Sequence, residues 1–133
     1  MKTELFNGIH EGLKTAVENR YEYLELFKVV KSKDKEKRAK GALAIALTKD
    51  GKDVHFAKVL VHPRDQYSKK VARQKLLSRL VHGDHDLVTG TEMDWKEIET
   101  VLFKSFRDID QELFHKNFQN SIKFLEFKLS ELK

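Results

Sequence analysis

Residues 41–61, GALAIALTKDGKDVHFAKVLV, constrain the fold more than any other part of this chain. Two apolar runs, 42–47 and 54–61, flank Lys49-Asp50-Gly51-Lys52, and Asp-Gly at the tip supplies a residue that accepts the positive φ of a tight hairpin turn. Strand alternation puts His55, Ala57, Val59 and Val61 on one side and Val54, Phe56, Lys58 and Leu60 on the other. Pro63 has no backbone N–H and ends the ladder. A lone hairpin is marginal in water, so other elements must extend and cover it.

The flanking sequence supplies them. Residues 3–19 space Leu5, Ile9, Leu13, Ala16 and Val17 at fours and threes, a helical rhythm, although Gly8 and Gly12 each cost roughly 1 kcal/mol relative to alanine. Residues 20–30, RYEYLELFKVV, are rich in aromatic and β-branched side chains and suit a strand, with continuation of the helix to Phe27 as the alternative. From Ser68, an N-cap residue, to His82 the pattern is helical again, with Ala72, Leu76, Leu77 and Leu80 as its buried stripe. Residues 94–132 are helical in rhythm throughout. The expected fold is therefore α+β: a small antiparallel sheet centred on the 42–61 hairpin, an N-terminal helix, a helix at 68–82, and a long or broken C-terminal helix.

Composition narrows the class. A length of 133 residues with one proline suits a single domain over 1–133, and nine Phe, three Tyr and one Trp provide for a core. Zero cysteines exclude disulfides, thiolate catalysis and Cys-ligated zinc. No apolar run approaches the roughly 18 residues of a membrane span, and the N-terminus lacks a signal peptide's apolar stretch. The expectation is a soluble, cytoplasmic protein that does not engage a membrane.

Charge is unevenly placed. The net +5 divides into a local +4 over residues 31–40, with six basic and two acidic side chains, and a local +6 over 58–79, which leaves −5 for the remainder. Within the second stretch Arg64, Lys69, Lys70, Arg73, Lys75 and Arg79 gather at a strand exit that turns into a helix start, where unpaired N–H groups also attract anions. These six form the candidate site for an anionic partner; the competing reading is a merely solvated surface. At 100° per residue Arg73 falls inside the helix's apolar sector, with Lys75 and Arg79 to one side and Lys70 to the other.

Two other constellations carry less chemistry. His82-Gly83-Asp84-His85-Asp86 offers His82, Asp84 and His85 as metal-ligand types. The same residues serve a helix C-cap and a turn, so neither metal nor cofactor is expected. His55 and His62, on or just after the hairpin, suit structural roles. No nucleophile motif, Walker loop or dinucleotide-binding glycine pattern is present, and Asp108/Asp110 and Glu97/Glu99 sit two apart on a helix, facing different ways. A binder is expected rather than an enzyme.

The C-terminal region carries two apolar stripes: Trp95, Ile98, Leu102, Phe106, Ile109 and Leu113, then Phe114, Phe118, Ile122, Leu125, Leu129 and Leu132. The second is displaced by more than a quarter turn, so one straight helix cannot bury both against one surface. A homo-oligomer, most simply a dimer, through Phe114, Phe118, Ile122, Leu125 and Leu129 of an oligomerisation helix at 114–132 answers this; a kink near Asn117–Asn120 that folds the second half onto the sheet is the rival.

Two resemblances complete the reading. The order helix, three strands, helix over residues 3–82, with Ser68-Lys69-Lys70-Val71-Ala72-Arg73 opening the last helix, resembles the double-stranded-RNA-binding domain. That likeness implies phosphate contacts from Lys69, Lys70 and Arg73, although a glycine pair before the lysines is absent. Val61-His62-Pro63-Arg64-Asp65-Gln66-Tyr67-Ser68-Lys69-Lys70, within residues 41–80, resembles a pattern in small phage and prophage proteins of unassigned function. It implies a non-enzymatic accessory protein that sequesters or inhibits a host component, a defence factor or a nucleotide signal, through its basic face. The alternative is a nucleic-acid-binding module using residues 64–79.

Overall fold

The computed structural model describes residues 3–32, 39–61 and 67–132, with side chains from residue 5 onward. Arg64 and Pro63, and most of the charged run 31–40, lie outside the described residues. Four strands form one antiparallel meander in the order β1 (Tyr21–Val30), β2 (Ala39–Thr48), β3 (Asp53–Leu60) and β4 (Leu87–Gly90). A 3-10 turn (Thr3–Phe6) and α1 (Glu11–Arg20) precede the sheet, α2 (Lys69–Val81) follows β3, and α3 (Trp95–Lys104) and α4 (Gln111–Leu132) end the chain. The class is α+β, as the sequence implied.

The hairpin turns where Asp50-Gly51 requires it, with Gly51 at φ +74°. Thr48 Oγ1 donates to Asp50 Oδ1 at 2.7 Å, and the Lys52 N–H donates to the same carboxylate oxygen at 3.0 Å, closing the loop locally. Residues 21–30 are strand and not helical continuation: Tyr21 leaves α1 with extended φ and ψ of −125° and 134°, and its followers pair with β2. The N-terminal helix is shorter than its apolar spacing suggests. Gly8 takes φ +76° and separates the 3-10 turn from α1, a conformation that breaks a helix outright instead of merely weakening it.

Helices cover both faces of the sheet, which decides how the apolar stripes are used. On one face Leu43, Ile45, Leu47, Val54 and Phe56 meet α3 and α4. On the other, Ala42, Ala44, Ala46 and Ala57 meet Val17 of α1 and Ala72, Leu76, Leu77 and Leu80 of α2. Alternation of small and large residues along β2 lets α2 dock closely on the alanine side while the bulky side fills the wider gap under α4. Gly41 to Leu47 is accordingly buried without interruption.

The C-terminal region corrects two expectations. The helix breaks at 105–110, not near Asn117–Asn120, and α4 runs unbroken through 111–132. Asp108 at φ +53° reverses the chain, Ser105 Oγ donates to Leu102 O at 2.5 Å, and Asp110 Oδ1 accepts the Leu113 N–H at 3.1 Å to start α4. The break is pinned to the sheet, since the Asp110 N–H donates to Val30 O at 2.9 Å. Most of both stripes thereby faces one core, with Leu113 outside it and Leu132 exposed. Phe114, Phe118, Ile122 and Leu125 are buried in it, and Leu129 packs against it half-buried. Four of the five residues expected at an interface between chains are thus buried within a single chain, and Leu129 alone keeps part of its surface exposed.

A candidate partner-binding face on helix α2

The α2 sequence, KKVARQKLLSRLV, fixes the character of its two sides. Ser68 caps it as expected, its Oγ accepting the Val71 N–H at 3.3 Å. With Ala72, Leu76, Leu77 and Leu80 turned to the sheet, Lys70, Val71, Gln74, Lys75 and Ser78 form the outer side, and no residue of the helix is acidic. Lys69, Lys70 and Lys75 are exposed, and none is ion-paired among the described residues. Two lysines in the first turn oppose the helix dipole and so do nothing for the helix itself.

The six basic candidates do not act as one patch. Arg64 lies outside the described residues. Arg73 is half-buried, its Nε donating to Lys69 O at 3.3 Å. Arg79 is committed to the fold: Nη1 and Nη2 donate to the Asp86 carboxylate at 3.0 and 3.2 Å, Nε donates to Asp84 at 3.2 Å, and Nη1 also donates to the Lys58 carbonyl. These bonds tie the end of α2 to β3 and to the start of β4, and sequence reasoning gave Arg79 a partner's role because it did not pair it with the two nearby aspartates. Lys58 is likewise occupied, its Nζ donating to Ser105 O at 2.9 Å beside the Phe106 ring. What remains on the outer side is Lys70 and Lys75.

Between α2 and the last residues of β3 lies a shallow groove of about 700 Å³, walled by Lys58, Leu60, Val71, Lys75 and Arg79. Sequence reasoning passed over its apolar element. Leu60 is 57% exposed and Val71 48% exposed, and both line this groove among cations. Leu60 stands where β4 no longer covers β3, because β4 pairs only with Asp53 to Phe56. On the other flank of α2, Lys69 and Arg73 border a second groove beside β1.

The histidine-aspartate loop is dispersed among separate tasks. His82 Nδ1 donates to Ser78 O at 2.7 Å, Asp84 and Asp86 hold Arg79, and the His85 ring lies 4.1 Å from that of His55. Among the described residues no three His, Cys, Asp or Glu side chains converge as a metal site. Tyr21 OH donates to Leu80 O at 3.1 Å, so the 2.8 Å contact with His55 is a donation from His55 Nδ1–H to the phenol oxygen. Burial holds both imidazoles below their usual pKa of 6.5; for His55 repulsion from His85 adds to this, and for His85 Arg79 and Arg20 lower it while Asp84 and Asp86 oppose. The folded chain then resists a proton that the unfolded chain accepts. Stability should be full above 6.5 and fall as pH drops below it. Urea midpoints at about pH 7.5 and about pH 5.5 check this, and the drop should shrink in His85→Gln.

Comparison with protein-family models, with curated proteins and with solved structures finds no match for the chain. Its class therefore rests on fold and face alone: a small α+β domain with helices on both sides of a four-stranded meander and a basic, partly apolar side on α2. Among the described residues no helix is long and apolar enough to cross a membrane.

Proposed function

We propose that this chain is a non-enzymatic binding protein, a phage-type accessory that acts in the cytoplasm by capturing an acidic host protein through the outer side of α2. The observation that carries the reading is the pairing of exposed cations with exposed apolar surface: Lys75 shares a groove with Val71 and Leu60, and Lys70, exposed on the first turn of the same helix, precedes Val71 with its stem toward Gly8. Cations alone would suit any anion. Leu60 and Val71 gain only from a partner that covers them with apolar atoms of its own, which a protein face does and a phosphate backbone does not. Complementary charge would steer encounter and fix orientation, while the apolar pair supplies the desolvated centre.

Gel mobility with duplex RNA, duplex DNA and single strands, at low and near-physiological salt, tests the choice of partner. Any low-salt shift should be weak and vanish near physiological salt. A persistent shift, falling steeply with salt and lost in Lys70→Glu/Lys75→Glu, would instead make phosphate the target.

A further inference from the structure

A second surface lies on the opposite flank of α2, at the outer edge of β1. This strand is first in the sheet order, so one of its sides meets no other strand. Which peptide groups point that way follows from the ladder. The Lys58 N–H donates to Asp86 Oδ2 at 2.6 Å and its carbonyl accepts from Arg79, so Lys58 faces away from β2. Ala57 and Val59 must then face β2, opposite Ala44 and Ala42. That leaves Leu43 and Ile45 facing β1, opposite Phe27 and Glu25. The N–H and C=O groups of Leu26 and Lys28 consequently point outward, and among the described residues no hydrogen bond reaches them.

The open stretch is bounded. Beyond it the Asp110 N–H donates to Val30 O and Lys31 bridges Ile109, which closes the edge. At the other end a register shift between Tyr21 and Tyr23 interrupts the ladder. An unprotected edge of this kind accepts a strand from outside. Beside it runs a groove of about 410 Å³ with Leu5, Leu26, Ala42, Ala72 and Leu76 along its walls. Lys28 and Lys69 stand exposed at the rim without an ion pair among the described residues. Among the described residues lining this groove the acidic one is Glu25, which accepts from the Tyr23 hydroxyl at 2.6 Å.

We propose that the edge of β1 from Leu24 to Lys28 takes up an extended, acidic segment of a protein partner as an added strand. The outward groups of Leu26 and Lys28 would supply the backbone bonds. Alternate apolar side chains of the segment would enter the groove, and its carboxylates would meet Lys28 and Lys69. This inference does not depend on the outer side of α2, and Lys70 and Lys75 take no part in it.

The probe is an end-blocked octapeptide alternating valine and glutamate, read by amide hydrogen exchange on the full chain. In the free protein the Leu26 and Lys28 amides should exchange about 100-fold faster than those of Glu25 and Phe27. Saturating peptide should slow those two by about tenfold or more, leaving Ala44 and Ala57 unchanged. Lys28→Pro removes an outward N–H that no ladder bond uses and should abolish the effect, whereas Lys28→Gln should weaken binding by about threefold. If Lys28→Pro fails to fold, the same peptide N-methylated on alternate residues, in both registers, makes the test without altering the chain: loss of protection supports strand addition, and full binding overturns it. Slow Leu26 and Lys28 amides in the free monomer would overturn it too, as would equal protection by a valine–lysine peptide. Protection that rises with chain concentration, with a light-scattering mass of two chains, would overturn it in favour of a second copy as the occupant.

Discussion

Phe118→Glu, alone or with Leu125→Glu, is expected to unfold the domain and not to release a folded monomer. Both side chains are fully buried, and Phe118 stacks on Phe114 with ring centroids 6.2 Å apart. An unpaired carboxylate there costs several kcal/mol, against a total stability of about 5–15 kcal/mol for a domain of this size. The milder Phe118→Ala should cost about 3–5 kcal/mol through lost burial and the cavity it leaves. Phe127, 66% exposed two residues beyond Leu125 on the same helix, is the control, and Phe127→Glu should change stability by less than about 0.5 kcal/mol. Circular dichroism during urea titration reads all four variants. A cooperative, well-folded double glutamate variant would move these residues out of the core and revive their role between chains.

The second large effect is at Gly41. A Cβ at this position would lie 2.1 Å from the carbonyl oxygen of Val59. That oxygen belongs to the backbone of the neighbouring strand, in a ladder that cannot shift without breaking its own bonds. Gly41→Ala should therefore destabilise by about 3 kcal/mol, more than an ordinary glycine replacement in a strand. Gly90, where an added Cβ meets nothing within 4 Å, should tolerate alanine without loss. Equal urea midpoints for the two variants would contradict the close approach at Gly41.

Sequence reasoning reached the hairpin, β1 and α2 because each is announced by local chemistry: Asp50-Gly51 at a turn, aromatic and β-branched residues after Arg20, and Ser68 ahead of a leucine stripe. It missed β4, whose four residues are too few to show alternation. The oligomer interface at Phe114 to Leu129 went wrong for a more instructive reason. Two displaced stripes need two surfaces only if the helix is straight, and Ser105, Asp108 and Asp110 bend the chain so that both stripes meet one side of the sheet. Those three residues were readable as cap and turn formers. Arg79 was equally accessible, because its partners Asp84 and Asp86 lie five and seven residues away. Exposure of Leu60 and Val71 was not readable, since it depends on where β4 stops covering β3.

The binding role of the α2 face is tested most directly by quantitative capture from a host lysate, with wild-type chain and Lys70→Glu/Lys75→Glu as parallel baits. The variant changes only exposed side chains that make no ion pair among the described residues, so its melting curve should match the wild type. The expected result is one or more acidic proteins retained by the wild type through nuclease treatment, depleted at least about tenfold with the variant. Identical sets of retained proteins on the two baits, or retention abolished by nuclease, would contradict it.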